Sequence, residues 1–125
     1  MIITVDSHSG IPVYRQIVEQ IKFQVSSGLL VAEQEIPSTR ALSARLGVNP
    51  MTISKAFQLL EEEGVLERRP GRPLVVRARN AEEVTVTRRE QLRSSLRPVV
   101  TVTRQLEIPS EEAVELFRGL LEEEK

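Results

Sequence analysis

The chain has 125 residues, which is enough for one ordinary domain or for a small domain with an appendage. It has no cysteine, which excludes disulfides, thiolate metal sites and a cysteine nucleophile, and no apolar run long enough to span a bilayer. The net charge is −1, with ten basic and eight acidic side chains in residues 1–79 and seven and ten in residues 80–125. We expect a cytoplasmic protein whose binding to any polyanion depends on a local basic patch.

The first predicted element is an amphipathic helix over residues 12–27. Pro12 suits its first turn and Gly28 suits its end. Its apolar positions recur at helical spacing and are Tyr14, Ile17, Val18, Ile21 and Val25. A connector over residues 29–36 follows, and we expect it to become extended before Pro37, because the residue before a proline disfavours helix.

Two further helices are predicted around a tight turn. Ser38 is a good N-cap for the second helix, and Gly47 ends that helix with a left-handed residue. Asn49 then caps the third helix, with Pro50 at its first position. A helix end and a new helix start within four residues are typical of a helix-turn-helix.

The third helix, over residues 50–63, carries its apolar side chains on one face, at Ile53, Ala56, Phe57 and Leu60. The opposite face carries Met51, Lys55 and Gln58, and Thr52 and Ser54 lie on its flanks. Glutamates at 61–63 crowd its C-terminal end, where the helix dipole does not favour them and where they would repel phosphates. We therefore expect the polar, charge-poor N-terminal half to lie near DNA, in a major groove.

A basic β-hairpin is predicted after Gly64. Residues 65–68 and 74–77 have the composition of strands, and the loop between them contains proline and glycine. The hairpin carries Arg68, Arg69 and Arg72. Such a wing can lie along a DNA backbone or a minor groove.

The pattern changes after Asn80, where a looser helical stripe is formed by Leu92, Leu96, Val99 or Val100, and Leu106. Pro98 lies inside this stripe, and we expect it to kink or break the helix. The β-branched run at 99–103 is compatible with a strand or a helix, and helix is favoured. Ser110 is predicted to cap a final helix, whose apolar face is Ala113, Leu116, Phe117, Leu120 and Leu121.

Two helices of about 45 residues in total cannot bury two apolar stripes well on their own, so a partner is needed. A second copy of the chain is the simplest one. We therefore predict a mainly α fold with a small β-wing (α+β), in which residues 1–79 form the DNA-binding domain and residues 80–125 a helical dimerisation segment. The predicted dimerisation residues are Leu92, Leu96, Val99, Leu106, Leu116, Phe117, Leu120 and Leu121.

Residues 12–76 resemble the winged helix-turn-helix domain of GntR-family bacterial transcription regulators. The matching residues are Ile36-Pro37-Ser38, Arg40-Ala41-Leu42-Ser43, Leu46-Gly47-Val48-Asn49, Thr52-Ile53, Ala56, Leu59 or Leu60, Glu63-Gly64 and Gly71. The opening Pro12-Val13-Tyr14-Arg15-Gln16-Ile17 and the short tail are most similar to the YtrA-like subfamily. This resemblance implies a brief helical dimerisation segment in place of a large effector domain.

Three positions depart from the family pattern. Glu33 stands near a usual glycine, Ile36 replaces a leucine, and Pro73 replaces the second wing glycine. These changes leave the fold intact and bear on the contact between the wing and DNA. The predicted DNA-binding residues are Ser38, Arg40, Asn49, Pro50, Met51, Thr52, Ser54, Lys55, Arg69, Gly71 and Arg72.

The sequence thus predicts a sequence-specific DNA-binding regulator that acts as a homodimer on a roughly palindromic operator. The family resemblance implies a repressor. The alternative is a winged-helix module for protein–protein contact, with incidental DNA binding. Neither an enzyme nor a cofactor or metal site is expected, since the single histidine, His8, has no triad or ligand partners in the pattern. The sequence leaves open whether a small-molecule effector binds. Such an effector would bind at the dimer interface or between tail and wing.

Overall fold

The computed structural model describes residues 1–124, which contain five α-helices and a two-stranded antiparallel sheet. In chain order the elements are α1 (Val13–Ser26), α2 (Thr39–Leu46), α3 (Pro50–Glu62), β1 (Leu66–Glu67), β2 (Val75–Val76), α4 (Ala81–Gln105) and α5 (Ser110–Glu123). The predicted fold class, mainly α with a small β-wing, is confirmed. The chain divides after Arg88 into two compact units. Helix α4 begins in the first unit and continues in the second. The expected domain boundary after residue 79 stays a prediction.

The core of the first unit is built from aliphatic side chains of α1, α2, α3 and both strands. The fully buried ones are Ile17, Ile21, Leu42, Ile53, Leu60, Leu66 and Val76. The predicted inward face of α3 is confirmed, because Ile53, Ala56, Phe57 and Leu60 are all buried. Burying each large aliphatic side chain stabilises the fold by about 1.5–3 kcal/mol, so this core fixes α3 against its neighbours.

The wing is a hairpin of two short strands, in which Leu66 pairs with Val76 and Glu67 with Val75. Each strand has two residues, about half the predicted length. The connector joins the outer edge of β2, where Glu33 N donates to Val76 O at 2.8 Å and Val76 N donates to Gln34 O at 2.9 Å. The predicted extended piece before Pro37 therefore lies beside β2 and forms the outer edge of the wing.

The first six residues are held against α1 by a ladder of three glutamines spaced four residues apart. Each side-chain amide accepts a hydrogen bond from the backbone N–H of one N-terminal residue and donates to the C=O of the same residue. The pairs are Gln16 with Asp6, Gln20 with Thr4, and Gln24 with Ile2. Four residues of helix rise about 6 Å and two residues of strand about 6.6 Å, so the two spacings match. Sequence patterns predicted no structure for this segment.

The first turns of α4 are fastened to the end of the wing. Asn80 Oδ1 caps the helix by accepting from Glu83 N at 2.8 Å, and Arg77 donates to the Glu83 carboxylate at 2.6 Å. This guanidinium lowers the pKa of the Glu83 carboxyl. Arg79 donates to Thr87 Oγ1 at 2.7 Å one turn further along. The start of α4 therefore belongs structurally to the winged unit.

The predicted break at Pro98 is wrong, because α4 continues through Pro98 to Gln105. A kink at Pro98 stays a prediction. Residues 99–103 are helical, as favoured. A proline removes one backbone donor and leaves the carbonyl four residues earlier, that of Ser94, without its partner. Ser94 and Pro98 are both exposed, so water can satisfy this carbonyl and the helix tolerates the proline.

The prediction that Ser110 caps the last helix is also wrong. Pro109 is the N-cap of α5, its carbonyl accepts the first intrahelical bond from Ala113 N at 3.0 Å, and no side chain caps this end. The turn before it passes through Glu107, whose backbone is left-handed with φ 55°. Ser110 is instead the first residue of the helix, which therefore begins one residue earlier than a serine cap implies.

Candidate nucleic-acid interface

The turn between α2 and α3 is fixed by two side-chain caps. Ser38 Oγ accepts from Ala41 N at 3.0 Å at the start of α2, and Asn49 Oδ1 accepts from Met51 N at 2.8 Å at the start of α3. Gly47 ends α2 with φ 67°, a conformation that costs glycine little. These three predictions about local structure are confirmed. They place the N-terminal end of α3 at the protein surface.

The outward side of α3 presents polar side chains without a carboxylate in its first turn. Met51 is 79% exposed, Ser54, Lys55 and Gln58 are exposed, and Thr52 is half-buried. Pro50 lies at the first position of the helix, as predicted. This arrangement matches the charge-poor face expected to meet DNA. Contacts between these side chains of α3 and DNA stay a prediction.

Lys55 is oriented by an aromatic side chain of α1. Its Nζ lies 4.0 Å from the centroid of the Tyr14 ring, well within the range of a cation–π contact. The Arg15 guanidinium lies 5.7 Å from the same centroid. The sequence pattern placed Tyr14 on the apolar face of α1, and it is indeed half-buried against the core. The helical pattern gave no signal for its contact with Lys55.

A surface groove of about 580 Å³ lies between the start of α2, the outer side of α3 and the wing. Among its lining residues are four of the predicted DNA-binding residues, namely Ser38, Arg40, Ser54 and Arg72. The same lining includes Glu61 and Gln58, from the C-terminal half of α3. The groove therefore joins parts of the chain up to 37 residues apart, from Pro37 to Leu74, with positive charge supplied by Arg40, Arg68 and Arg72.

The wing arginines are paired with carboxylates of the protein itself. Arg69 forms ion pairs with Glu33 of the connector and with Glu67 of β1. These hydrogen bonds raise the pKa of Arg69, and the Arg69 guanidinium lowers the pKa of Glu33. Arg69 is thus placed between two glutamates, and sequence patterns did not indicate this neutralisation.

The other two wing arginines also lie beside carboxylates. Arg72 lies 3.6 Å from the Glu35 carboxylate, and Arg68 lies 2.9 Å from that of Glu61. Arg68 and Arg72 remain more than 60% exposed, so both guanidinium groups are accessible to a polyanion. Gly71 has φ 68°, and no atom lies within 4 Å of the place where a Cβ would stand, so its backbone is open to close approach by a ligand.

The predicted dimerisation residues lie on α4 and α5, which have no buried side chain, except for Leu106, which lies in the turn between these helices. Both helices fall within the described part of the chain. On α5, Phe117 is 41% exposed and Leu120 is 56% exposed. The other predicted positions are exposed or, for Leu96, half-buried: Leu92, Leu96, Val99, Leu106, Leu116 and Leu121. Their apolar surface is left uncovered by the single chain.

Two negative findings apply to residues 1–124. In this range no three histidine or acidic side chains come together in a way that could hold a metal ion. Over the same residues, none of the helices combines the length and the apolar character needed to cross a membrane.

The comparisons with known proteins identify the winged unit. Residues 13–76, about half of the chain, match the family model described as bacterial regulatory proteins, gntR family. The transcriptional repressor YtrA of Bacillus subtilis is 39% identical over 70 residues, an alignment that covers 56% of this chain and 54% of that protein. The chain therefore matches only about half the length of this relative.

Two solved structures extend the likeness. YtrA from Sulfolobus acidocaldarius, a GntR-family transcription factor, is 29% identical with a TM-score of 0.59, and the alignment covers 97% of both chains. The DNA-binding domain of AraR, solved in complex with the operator ORE1, is 29% identical with a TM-score of 0.51 and covers 61% of this chain and 93% of that one. Because the family model matches about half of the chain, the chain belongs to the GntR family of bacterial regulatory proteins.

Proposed function

We propose that the chain is a sequence-specific DNA-binding transcription regulator that acts as a homodimer. The observation that carries this proposal is the N-terminal half of α3. It is rigidly capped by Asn49, polar and exposed along its outer side, and bordered by the groove that contains Arg40 and Arg72. An exposed helix of this kind can enter a major groove while the arginines beside it contact phosphates.

Two relatives support the proposal that the chain binds DNA and represses transcription. A similar domain, that of AraR, has been solved with operator DNA, and the similar YtrA of Bacillus subtilis is named a repressor. Repression is therefore the role that we propose for this chain. A regulator bound over a promoter prevents polymerase from reaching it.

The tail supports a dimer. Within residues 81–123, exposed apolar side chains recur along α4 and α5, and none of them is buried by the chain itself. Burying apolar surface stabilises an interface by about 25 cal/mol per Å², so a second copy of the same stripes would stabilise both. A two-fold dimer presents two copies of α3 and predicts a roughly palindromic operator.

Fluorescence anisotropy with DNA from upstream of the chain's own gene tests the proposal. A scrambled duplex of the same length and composition is the control, and both are titrated at two salt concentrations. We expect a preference of at least about a thousandfold for the upstream DNA, which is the range of specific regulators. Equal, salt-sensitive binding to both duplexes would contradict sequence-specific recognition of that DNA.

Two substitutions test the docking of α3 and the groove. Lys55→Ala and Arg40→Ala each weaken binding by about 1–3 kcal/mol if the side chain contacts a base. If it contacts a phosphate instead, the loss is similar for every sequence and the salt slope falls by about one. Lys22→Ala is the matched control, because Lys22 pairs with Glu63 at the C-terminal end of α3, at 3.1 Å. Unchanged affinity in both test variants would refute this docking.

The runner-up is a winged-helix module for protein–protein contact. The internal pairing of the wing arginines favours it, since glutamates already offset part of the positive charge. This alternative predicts that Thr52→Ala and Lys55→Ala leave regulation of a reporter gene unchanged. Loss of regulation in these variants, with folding intact, would exclude it.

A further inference from the structure

Tyr14 and Lys55 join α1 to the outer side of α3. Tyr14 lies in the first turn of α1, and its ring packs against the core on one side, which restricts its motion. Lys55 lies in the middle of α3, is exposed, and has its Nζ 4.0 Å from the ring centroid. A partly buried aromatic ring thus serves as a fixed surface for a flexible cation.

The charge of Lys55 is not offset by a carboxylate. Within residues 1–124, Lys55 takes part in none of the ion pairs, in contrast to Arg68, Arg69 and Arg72 of the wing. Its contact with a neutral ring orients the ammonium group without neutralising it. Arg15, 5.7 Å from the same centroid, adds a second positive charge at this place.

Orientation matters for a lysine because its ammonium group sits at the end of a flexible four-carbon stem. A lysine that must be ordered on binding loses side-chain entropy at that moment, whereas a lysine already held in place loses less. A cation–π contact can provide this order, since the ring attracts the cation and the N–H groups that point away from the ring stay available to other acceptors.

We infer that Tyr14 is a positioning residue for DNA recognition, which holds the Lys55 ammonium group on the DNA-facing side of α3. The inference rests on the proposed function and extends it by adding the first turn of α1 to the interface. In this arrangement Tyr14 acts through Lys55, and its hydroxyl group is not needed.

A double-mutant cycle in the full-length chain tests this coupling. Tyr14→Leu, Lys55→Met and the double variant are titrated onto the upstream duplex and onto the scrambled duplex, with Tyr14→Phe as the conservative variant. We expect Tyr14→Leu to weaken binding about two- to fivefold, which corresponds to an exposed cation–π contact, and Tyr14→Phe to restore it. In the Lys55→Met background Tyr14→Leu has no further effect.

Two results would overturn the inference. Equal losses from Tyr14→Leu in both backgrounds would mean that the tyrosine acts independently of Lys55. A Tyr14→Phe variant as weak as Tyr14→Leu would mean that the hydroxyl group, not the ring, is required. Thermal unfolding of each variant shows whether a loss of binding reflects a loss of folded protein.

A second measurement does not depend on DNA. In the free protein, the Lys55 side-chain protons lie over the ring and are expected upfield of their usual proton shifts, in wild type and Tyr14→Phe but not in Tyr14→Leu. Lys55 protons at ordinary shifts in the wild type would refute the positioning by Tyr14 even if DNA binding is specific. Upfield shifts together with no preference for the upstream duplex would refute the proposed function and leave the positioning intact.

Discussion

The Arg69 guanidinium of the wing donates a hydrogen bond of 2.9 Å to the Glu33 carboxylate of the connector, although the Glu33 backbone is left-handed, with φ 71°. A Cβ disfavours this conformation, and the GntR family usually has glycine near this position. The chain therefore keeps an unfavourable backbone at Glu33, and the side chain that causes the strain also pairs with the wing.

Glu33→Gly and Glu33→Ala separate these two effects. Both variants lose the pair with Arg69, but only the alanine variant keeps a Cβ in the left-handed conformation. We expect the glycine variant to unfold a few degrees higher than the alanine variant, because relief of strain exceeds the entropy that glycine adds to the unfolded chain. Calorimetry of both variants measures this difference. An alanine variant at least as stable as the glycine variant would contradict the strain.

The pairs of Glu83 with Arg77 and Glu33 with Arg69 predict a dependence of stability on pH. The arginines lower the pKa of both carboxyl groups below the ordinary value of 4.5. A lowered folded pKa contributes stability that is complete above about pH 4.5 and is lost as the pH falls through the folded value. We therefore expect the melting temperatures of wild type and Glu83→Gln to differ at neutral pH and to converge under acid conditions.

Glu62→Gln is the control for this comparison, since Glu62 is exposed and takes part in no ion pair within the described residues. Its melting temperature should not fall below that of the wild type at neutral pH, because the helix dipole does not favour a carboxylate at the C-terminal end of α3. A gap between wild type and Glu83→Gln that persists below the folded pKa would show that the glutamine change acts through packing and not through charge.

Glu35 partly neutralises the positive charge of the wing, because its carboxylate lies 3.6 Å from the Arg72 guanidinium. Glu35→Gln removes one negative charge beside the groove and leaves Arg72 free to pair with a phosphate. We expect tighter binding to the upstream and scrambled duplexes alike, with a salt slope steeper by about one, so that the preference between them falls or stays level. An unchanged salt slope in anisotropy titrations would show that Arg72 does not reach the DNA backbone.

Local chemistry explains which parts of the fold could be predicted. Ser38, Gly47 and Asn49 act on backbone groups within three or four residues, so their roles follow from the sequence alone. The inward face of α3 likewise follows from helical periodicity. These predictions do not depend on which residues pack on the opposite side of the core.

Contacts between distant parts of the chain could not be predicted in this way. The spacing of Gln16, Gln20 and Gln24 is that of an ordinary solvated helix face. Their hydrogen bonds form only because the N-terminal segment lies against α1. Likewise, Glu33 and Arg69 are 36 residues apart, and Tyr14 and Lys55 meet through the packing of α1 on α3. Residue type did not distinguish these side chains from solvated ones.

The glutamine ladder makes the N-terminal segment a specific partner of α1. Gln20→Met keeps the length of the side chain but removes its two bonds to Thr4, at 3.0 Å and 2.6 Å. We expect the Thr4 amide to exchange its hydrogen faster and the unfolding free energy to fall by about 1–2 kcal/mol. Gln58→Met on the exposed side of α3 is the matched control. Unchanged exchange at Thr4 would mean that the segment is held by its apolar side chains, such as Ile3, instead.

Leu120 tests the proposed dimer, because it is 56% exposed on the apolar face of α5 and lies far along the chain from the winged unit. Leu120→Glu places a charge where a second copy would bury an apolar side chain, and an unpaired buried charge is costly. We expect size-exclusion chromatography with light scattering to show dimers for wild type and monomers for Leu120→Glu. Operator affinity should fall with the dimer, because a monomer contacts one half-site, while the melting of the winged unit stays unchanged.

The control for this experiment is Glu115→Gln on the same helix, which changes the exposed partner of Arg118 and leaves the apolar face intact. A truncated chain ending after Arg88 provides an independent check. It retains Glu83, Thr87 and Arg88, which bond to the winged unit, and removes the remaining tail. A Leu120→Glu protein that stays dimeric, together with a dimeric truncated chain, would place the interface in the winged unit and refute the role of α5.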